Sequence, residues 1–351
     1  MNVLFDIVHP AHVHFYRHMI RELEARGHHA LVVARRKDVT LELLDLYGIP
    51  HEITGESRPR SRMGQLKELL ERDLVLYRLG RRFRPDIILT RNPAGVQAAR
   101  LLGVPGVFDT DDGTAAGIHF KAAAPFAHVI TTPDCFTEDY GRKHWKYPGY
   151  KQSAYLHPDL FQPSPNVLGT LGVVPGESFF LVRFVSMHAS HDRGETGLSL
   201  ETKRQIVHRL EARGRVFISS EGALPPEWEH LRVRIPPHQI HDALAFSSLF
   251  VGDSQTMAAE AAVLGTPNLR ASTFVGRISY LEELEHKYGL TFGFNPREGQ
   301  RLLAKIDELL AATDLRASCA AGHARMCSDK QNVAAWYVER VCSGKFAKAQ
   351  P

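Results

Sequence analysis

The sequence predicts an α/β chain built as two Rossmann-like halves, each a parallel sheet covered by helices on both faces. Three observations carry this. Short β-rich apolar runs alternate with amphipathic stretches from Asn2 to about Pro148, a stretch rich in proline, glycine and polar residues follows from about Tyr150 to Gly176, and the same alternation then resumes. Strands that alternate with helical patterns imply parallel pairing with the helices packed outside.

The elements follow in order. NVLFDIV reads as a strand, and HFYRHMIRELEARG as a helix whose Phe15, Met19 and Leu23 recur every four residues up to a stop at Gly27. HHALVVARR and DVTLELLDLYG repeat the strand and helix pattern, and a basic helical segment runs from Arg60 to Phe83. PDIILT, AGVQAARLLG, VPGVFDT and HVITTP complete the first half. The second half reads as SFFLVRFVS, the helix SLETKRQIVHRLEARG, RVFISSEG, a short RVRIP strand, the helix HDALAFSS, LFVGDS and the helix TMAAEAAVLG. This divides the chain into an N-terminal domain (1–160), a linker (161–176), a C-terminal domain (177–327) and a final helix with a tail (328–351).

Bulk composition excludes several classes. With 351 residues, 44% hydrophobic and 23% charged, the chain is long enough for two cores and lacks an apolar run that would span a bilayer. Cys135, Cys319, Cys327 and Cys342 show no CxxC spacing, which argues against a zinc cage or a disulfide framework. The opening MNVLFDIV is a strand pattern rather than a signal peptide, so a cytoplasmic location is expected. A net charge of +4 does not point to nucleic acid. The basic segment 58–84 mixes Lys and Arg with Leu, Met, Tyr and Phe; it reads as a core-facing helix with a charged outer face, or as a peripheral contact with anionic lipid at the inner face of the membrane.

Chemistry-bearing residues gather at strand ends. His9 and His12 follow the first strand, in a turn restricted by Pro10, where a neutral imidazole suits a base that takes a proton from an acceptor hydroxyl. His14 and His18 share a helix face, but no glutamate stands between them as a zinc helix requires. Asp109, Asp111 and Asp112 crowd one strand end, where their mutual repulsion demands donors, a cation or a raised pKa; turn formation and helix capping are the plainer explanations. RNPAG, Arg91 to Gly95, is another strand-end loop. In the second half, Arg183, His188, His191, Asp192 and Arg193 follow an apolar strand, and His238 precedes a strand-to-helix turn at Ser247 to Leu269. In that turn Ser254 suits an N-cap, the free N–H groups of the helix suit a diphosphate, and Glu260 lies nearly two turns in.

GDSQTMAAEAAVLGTPNLR resembles the nucleotide-binding segment of GT-B proteins, especially the non-hydrolysing UDP-N-acetylglucosamine 2-epimerases. The resemblance implies that Ser254, Gln255 and Thr256 take the diphosphate and Glu260 the ribose; the epimerases carry a pair of glycines where this chain has Gln255 and Thr256. HDRGE occupies the place of the epimerase HRREN motif, with His191 matching its histidine, and VFDTDDGTAAG that of HVEAGLR, with Asp111 matching its glutamate. IPPHQIHDAL resembles the GT-B loop that holds the base. The opening DIVHPAHVHFYRHMIRELEARGH resembles the N-terminal signature of the DUF354 family, a likeness that runs over nearly the whole chain.

The fold implied is GT-B-like, with two Rossmann-like parallel-sheet domains facing a central cleft and a C-terminal helix, within DKQNVAAWYVERV, crossing back to the first domain. Three functions follow from the resemblance. The first is a glycosyltransferase of surface polysaccharide or glycoconjugate synthesis, with a nucleotide-sugar donor, chiefly a UDP-sugar, and a saccharide or lipid-linked acceptor. It would use His9 or His12 as base, Asp111 as acidic partner, Arg183 and Arg193 on the leaving diphosphate, and no metal or other cofactor. The second is a sugar-nucleotide 2-epimerase in which Asp111 shuttles protons; the third is a non-catalytic nucleotide-sugar binder.

Overall fold

A computed structural model describes residues 1–56, 62–174, 176–184, 197–220 and 222–348. Two compact units emerge, Met1–Leu160 with Lys330–Pro351, and Phe161–Asp329. The C-terminal segment thus belongs with the first unit. Its strands and helices run β1 (Asn2–Ile7), α1 (Pro10–Ala25), β2 (His29–Arg36), α2 (Thr40–Leu46), β3 (Glu52–Glu56), α3 (Arg62–Phe83), β4 (Ile87–Thr90), α4 (Pro93–Leu102), β5 (Gly106–Asp109), α5 (Ile118–Ala123), β6 (Val129–Pro133) and β7 (His144–Tyr147). The second unit holds α6 (Asn166–Leu171), β8 (Phe179–Phe184), α7 (Leu200–Glu211), β9 (Arg215–Ser220), α8 (Ile240–Phe246), β10 (Leu249–Gly252), α9 (Gln255–Val263), β11 (Asn268–Ala271), α10 (Ser279–His286), β12 (Phe292–Phe294), α11 (Gly299–Leu310) and α12 (Ala317–Asp329). The chain then returns to the first unit with α13 (Val333–Cys342) and α14 (Lys345–Lys348).

The first sheet has seven parallel strands in the order β3-β2-β1-β4-β5-β6-β7. Alternation in β1 sends Leu4 into a layer with Leu76 of α3 and Ala94, Ala98 and Ala99 of α4, while Phe5 meets Tyr16 of α1 on the opposite face, ring centroids 5.3 Å apart. On that face Tyr337 of α13 packs edge-on against Phe15 at 5.6 Å, so the last long helix closes the layer that α1 opens. Gly103 ends α4 in the left-handed conformation at φ 73°, a stop that glycine reaches without a steric cost.

The second sheet has five parallel strands in the order β12-β11-β10-β8-β9. Phe180, Val182 and Phe184 face α7 and α11, and Phe179 and Leu181 face α6, α8 and α9. Residues 161–176, expected to link the domains, instead contribute α6, whose Val167 and Leu171 are buried in this second layer. The expected RVRIP strand is reduced to a single bridge between Ile218 and Arg232. β3, β7 and β12, which the apolar patterning does not announce, are edge strands, where one neighbour and a partly wet face relax the demand for apolar residues.

Sheet order decides where sites belong. In each sheet the chain builds outward on one side and then crosses over, which leaves a topological switch point between β1 and β4 in the first and between β8 and β10 in the second. Loops at the carboxyl ends of those strands diverge and leave room for a ligand. One buried pair stiffens the first of these points: Asp6 of β1, fully buried, is paired with Arg72 of α3 and accepts a hydrogen bond from the Thr90 hydroxyl of β4 at 2.8 Å.

Replacing Asp6 by Ala should therefore cost about 3–5 kcal/mol, because the Arg72 charge stays buried without its partner. The double change Asp6→Leu with Arg72→Met should recover most of it. Urea unfolding of both variants checks this; a single variant as stable as the parent would show that the pair contributes nothing.

Candidate functional site

In the first unit, the β1–α1 turn is shaped by its own histidine. His9 is the N-cap of α1, in extended conformation, and its Nδ1 accepts the Ala11 N–H at 3.2 Å, with Pro10 in the first turn where no N–H is needed. His12 is one turn on, 9% exposed, and its Nδ1 accepts a long hydrogen bond of 3.5 Å from the Val8 N–H. Across the switch point, Asn92 caps α4 by accepting the Ala94 N–H at 3.0 Å and so places Arg91 at the strand end. These groups line a cavity of about 320 Å³ together with Arg35, Lys37, Asp109, Thr110, Asp112 and His119.

Beneath the cavity is a buried ionic network. Arg91 pairs with Asp109 and with Asp111, and the Lys151 ammonium donates to Asp111 at 2.6 Å. Asp109 also accepts hydrogen bonds from Tyr337 at 2.9 Å and Thr131 at 3.2 Å. Burial alone would raise the pKa of Asp111, but Arg91 and then Lys151 outweigh it and hold the carboxyl well below the usual range. Asp112 goes the other way, raised first by the charge of Asp111 and then by the protein around it. Desolvation lowers His9 to about 4, with Lys37, Lys151 and Arg91 adding to the effect. It drives His12 well below its ordinary value, again with Arg91 assisting, and lowers His119 in the same way.

The hydrogen bonds assign a tautomer. A ring nitrogen that accepts a backbone N–H carries no proton, so neutral His9 and His12 are protonated at Nε2. The edge left over is a donor. In that tautomer neither His9 nor His12 has a free lone pair with which to act as the expected base. Asp111, the expected acidic partner, is 3% exposed and paired with two cations, whereas Asp112 lines the cavity with a raised pKa. His14 and His18 are packing residues: His14 stacks on Tyr155 at 5.5 Å, and His18 Nε2 accepts a hydrogen bond from Arg17 at 3.1 Å.

In the second unit, the β10–α9 turn carries the expected helix start. Ser254 is the N-cap of α9 and accepts the Met257 N–H at 3.3 Å. Gly252 permits the close pass of β10 by β8, since a Cβ there would lie 2.5 Å from the Arg183 carbonyl oxygen. Arg183, next to last in β8, lies across the switch point and donates to the Ser219 hydroxyl at 2.7 Å. Gln255 accepts a 3.4 Å hydrogen bond from Arg270, a fully buried guanidinium that also donates to Glu282 at 2.9 Å and Glu285 at 2.8 Å. Thr256 follows in the first turn of α9, half-buried. Glu260 is buried deeper on the same helix, 3.2 Å from His241 of α8, and His238 lies half-buried just before α8. His191 and Arg193 lie outside the described residues. Sequence reading did not single out Lys151, Lys37, His119, His241 or Arg270; each acquires its place from partners far off in the chain, and no local spacing announces it.

The basic segment 58–84 is spent partly inside the protein. Arg58 and Arg60 lie outside the described residues, Arg72 points inward to Asp6, and Arg82 pairs with Glu52 at 2.5 Å. Among the described residues, no helix is long and apolar enough to cross a membrane.

Two Rossmann-like parallel-sheet units, each with polar groups at its switch point, define a protein of the GT-B-like class. The chain belongs to the DUF354 family, described as proteins of unknown function, whose model matches residues 1–279. It is 22% identical over 287 residues to an uncharacterized protein of Methanocaldococcus jannaschii, covering 77% of this chain and 81% of that one. Among solved structures it is similar to the UDP-GlcNAc 2-epimerase of Neisseria meningitidis bound to UDP-GlcNAc, with a TM-score of 0.66, 13% identity, and 98% and 100% of the two chains covered. It is also similar to the glycosyltransferase VinC in complex with dTDP, with a TM-score of 0.61, 12% identity and the same coverages.

Arg91→Gln should reveal the network through pH. In the parent protein the depressed pKa of Asp111 contributes stability that is fully present above the unfolded carboxyl value of about 3.9 and is lost as pH falls through the lower folded value. Without Arg91, desolvation is left opposed only by Lys151 and the folded pKa rises. The variant should be less stable than the parent by about 3–5 kcal/mol at neutral pH, and the deficit should shrink by about pH 2, below the unfolded carboxyl value. Denaturant midpoints at the two pH values decide it; a deficit that does not change with pH would remove Asp111 from the explanation.

Proposed function

We propose that the protein is a glycosyltransferase that uses a nucleotide sugar, of the UDP-sugar class, in glycoconjugate or polysaccharide synthesis. The second unit holds the donor. The positive end of α9 and the side chains of Ser254, Gln255 and Thr256 receive the diphosphate, Arg183 and Arg193 add positive charge, and Glu260, His238 and His191 serve the nucleoside and sugar. The similar folds solved with UDP-GlcNAc and dTDP support a nucleotide-sugar ligand.

The first unit holds the acceptor, and one observation carries the choice of transfer over epimerisation. Asp111 is buried and ion-paired to Arg91 and Lys151, so it is a poor proton shuttle, while Asp112 at the cavity wall has the raised pKa that proton abstraction favours. In the reaction, the acceptor oxygen bonds to the anomeric carbon as the bond from that carbon to the diphosphate oxygen breaks. The hydroxyl proton passes to Asp112, and the electron pair leaves with the diphosphate against α9. His9 and His12 act through their Nε2–H groups as donors that position the acceptor. Peripheral contact with anionic lipid through residues 58–84 belongs to this proposal, supported by Leu70 and Leu74, which are exposed one turn apart on α3.

Incubated in deuterated water with UDP-N-acetylglucosamine and no acceptor, the protein should neither invert C2 nor incorporate deuterium there; either event establishes an epimerase instead. Against a panel of saccharide acceptors, Asp112→Asn should lower kcat by about 10²–10⁴ with little change in the donor KM, as loss of a general base does. Full activity in that variant would sink the assignment of the base. Binding of nucleotide sugars with no turnover on any acceptor would leave a binding protein.

A further inference from the structure

We infer that the cavity of the first unit binds a phosphate group carried by the acceptor, a second anion distinct from the diphosphate of the donor. The inference rests on the transferase reading for the word acceptor, but every residue it uses belongs to the first unit. The cavity opens at the N-terminus of α1, a helix of 16 residues, whose positive end faces the switch point. A helix N-terminus alone would signify little. Here His12, 9% exposed, lines the cavity with an Nε2 that has no hydrogen-bond partner among the described residues. Because Nδ1 accepts the Val8 N–H, that free edge is an N–H donor.

His9 presents a second donor of the same kind, its ring centroid 6.1 Å from that of His12. Lys37, at the end of β2, lines the same cavity and has no carboxylate partner among the described residues, whereas Arg35 is paired with Glu68 and Arg91 with Asp109 and Asp111. After burial, the groups that act on the His12 ring are, in order, Arg91, His9, Lys151 and His119, each of which disfavours a charge on it and so preserves the neutral N–H donor. Two imidazole donors and one uncommitted ammonium around a positive helix end match the oxygens of a phosphate monoester. A neutral hydroxyl, with its single oxygen, would leave most of these donors unused.

Calorimetric titration of the full chain with inorganic phosphate and methyl phosphate, with UDP run in parallel, tests this. Both phosphates should bind the parent protein. Lys37→Ala and His12→Phe should each weaken them by at least about tenfold, as expected for a lost charge-assisted hydrogen bond. His12→Gln, which keeps an N–H donor in place of Nε2–H, should restore part of the binding, an effect that mere repacking would not produce. Ser254→Ala should weaken UDP and leave methyl phosphate unchanged.

Absence of phosphate binding, or binding insensitive to Lys37 and His12, overturns the inference. So does a loss of UDP binding in Lys37→Ala as large as that of methyl phosphate, since the anion would then be the donor's own. Failure of the parent protein to bind UDP, with methyl phosphate still bound, would instead sink the donor assignment and spare this site. Vesicles of phosphatidic acid separate the sources. Capture that Lys37→Ala abolishes assigns the phosphate to a lipid, and no capture with methyl phosphate bound assigns it to a soluble acceptor; both support the inference.

Discussion

The Arg91 guanidinium organises the first unit. It stands at the end of β4, pairs with Asp109 and Asp111 from β5 and the turn after it, and lies over the Phe15 ring of α1 at 5.5 Å. Through Asp109 the network reaches Tyr337 of α13, and through Asp111 it reaches Lys151, which comes from the stretch after β7. Five separate segments of chain are thus fixed by charges that burial makes expensive to separate. A cavity wall built on such a network keeps its shape, and the groups above it are held at defined heights on a rigid base.

The second unit reaches the same end with a different arrangement. Arg270 on β11 is enclosed by Glu282 and Glu285 of α10 and reaches Gln255 at the start of α9. Two carboxylates satisfy the buried charge, and the remaining donor orients a side chain at the helix N-terminus. Glu260 and His241 tie α9 to α8 a turn and a half further on. In both units, then, a buried arginine on a strand end sets the geometry of the neighbouring switch-point loop. Function is placed where sheet topology leaves room, and precision comes from ions beneath it.

Much of this architecture was legible in the chain. Near-continuous apolar runs in NVLFDIV and PDIILT announce strands covered on both faces, and four-residue spacing in α1 announces a helix with one buried face. Ser254 was readable for a similar reason, because a cap imposes a local residue type. What escaped the sequence depends on distance. Lys151 meets Asp111 across 40 positions of chain and Arg72 meets Asp6 across 66, and no spacing rule encodes either encounter. α6 escaped for another reason, since the prolines on either side of it, its one glycine and its short length imitate a linker until Val167 and Leu171 are seen buried.

The histidine-rich opening shows how hydrogen bonding overrides residue type. His9 and His12 are the residues that chemistry would nominate as bases, yet both spend the lone pair of Nδ1 on a backbone N–H. One of these bonds is itself the cap that starts α1, so the helix and the tautomer are determined together. Desolvation and the nearby cations then keep both rings neutral, which preserves the proton on Nε2 as a directed donor rather than as part of a mobile charge. The carboxylates divide in the complementary sense. Arg91 and Lys151 hold Asp111 ionised, and that fixed negative charge raises the pKa of Asp112 beside it. Imidazole donors and a carboxyl of raised pKa are therefore separated onto two loops of one cavity, each set by the buried ions as much as by its own side-chain chemistry.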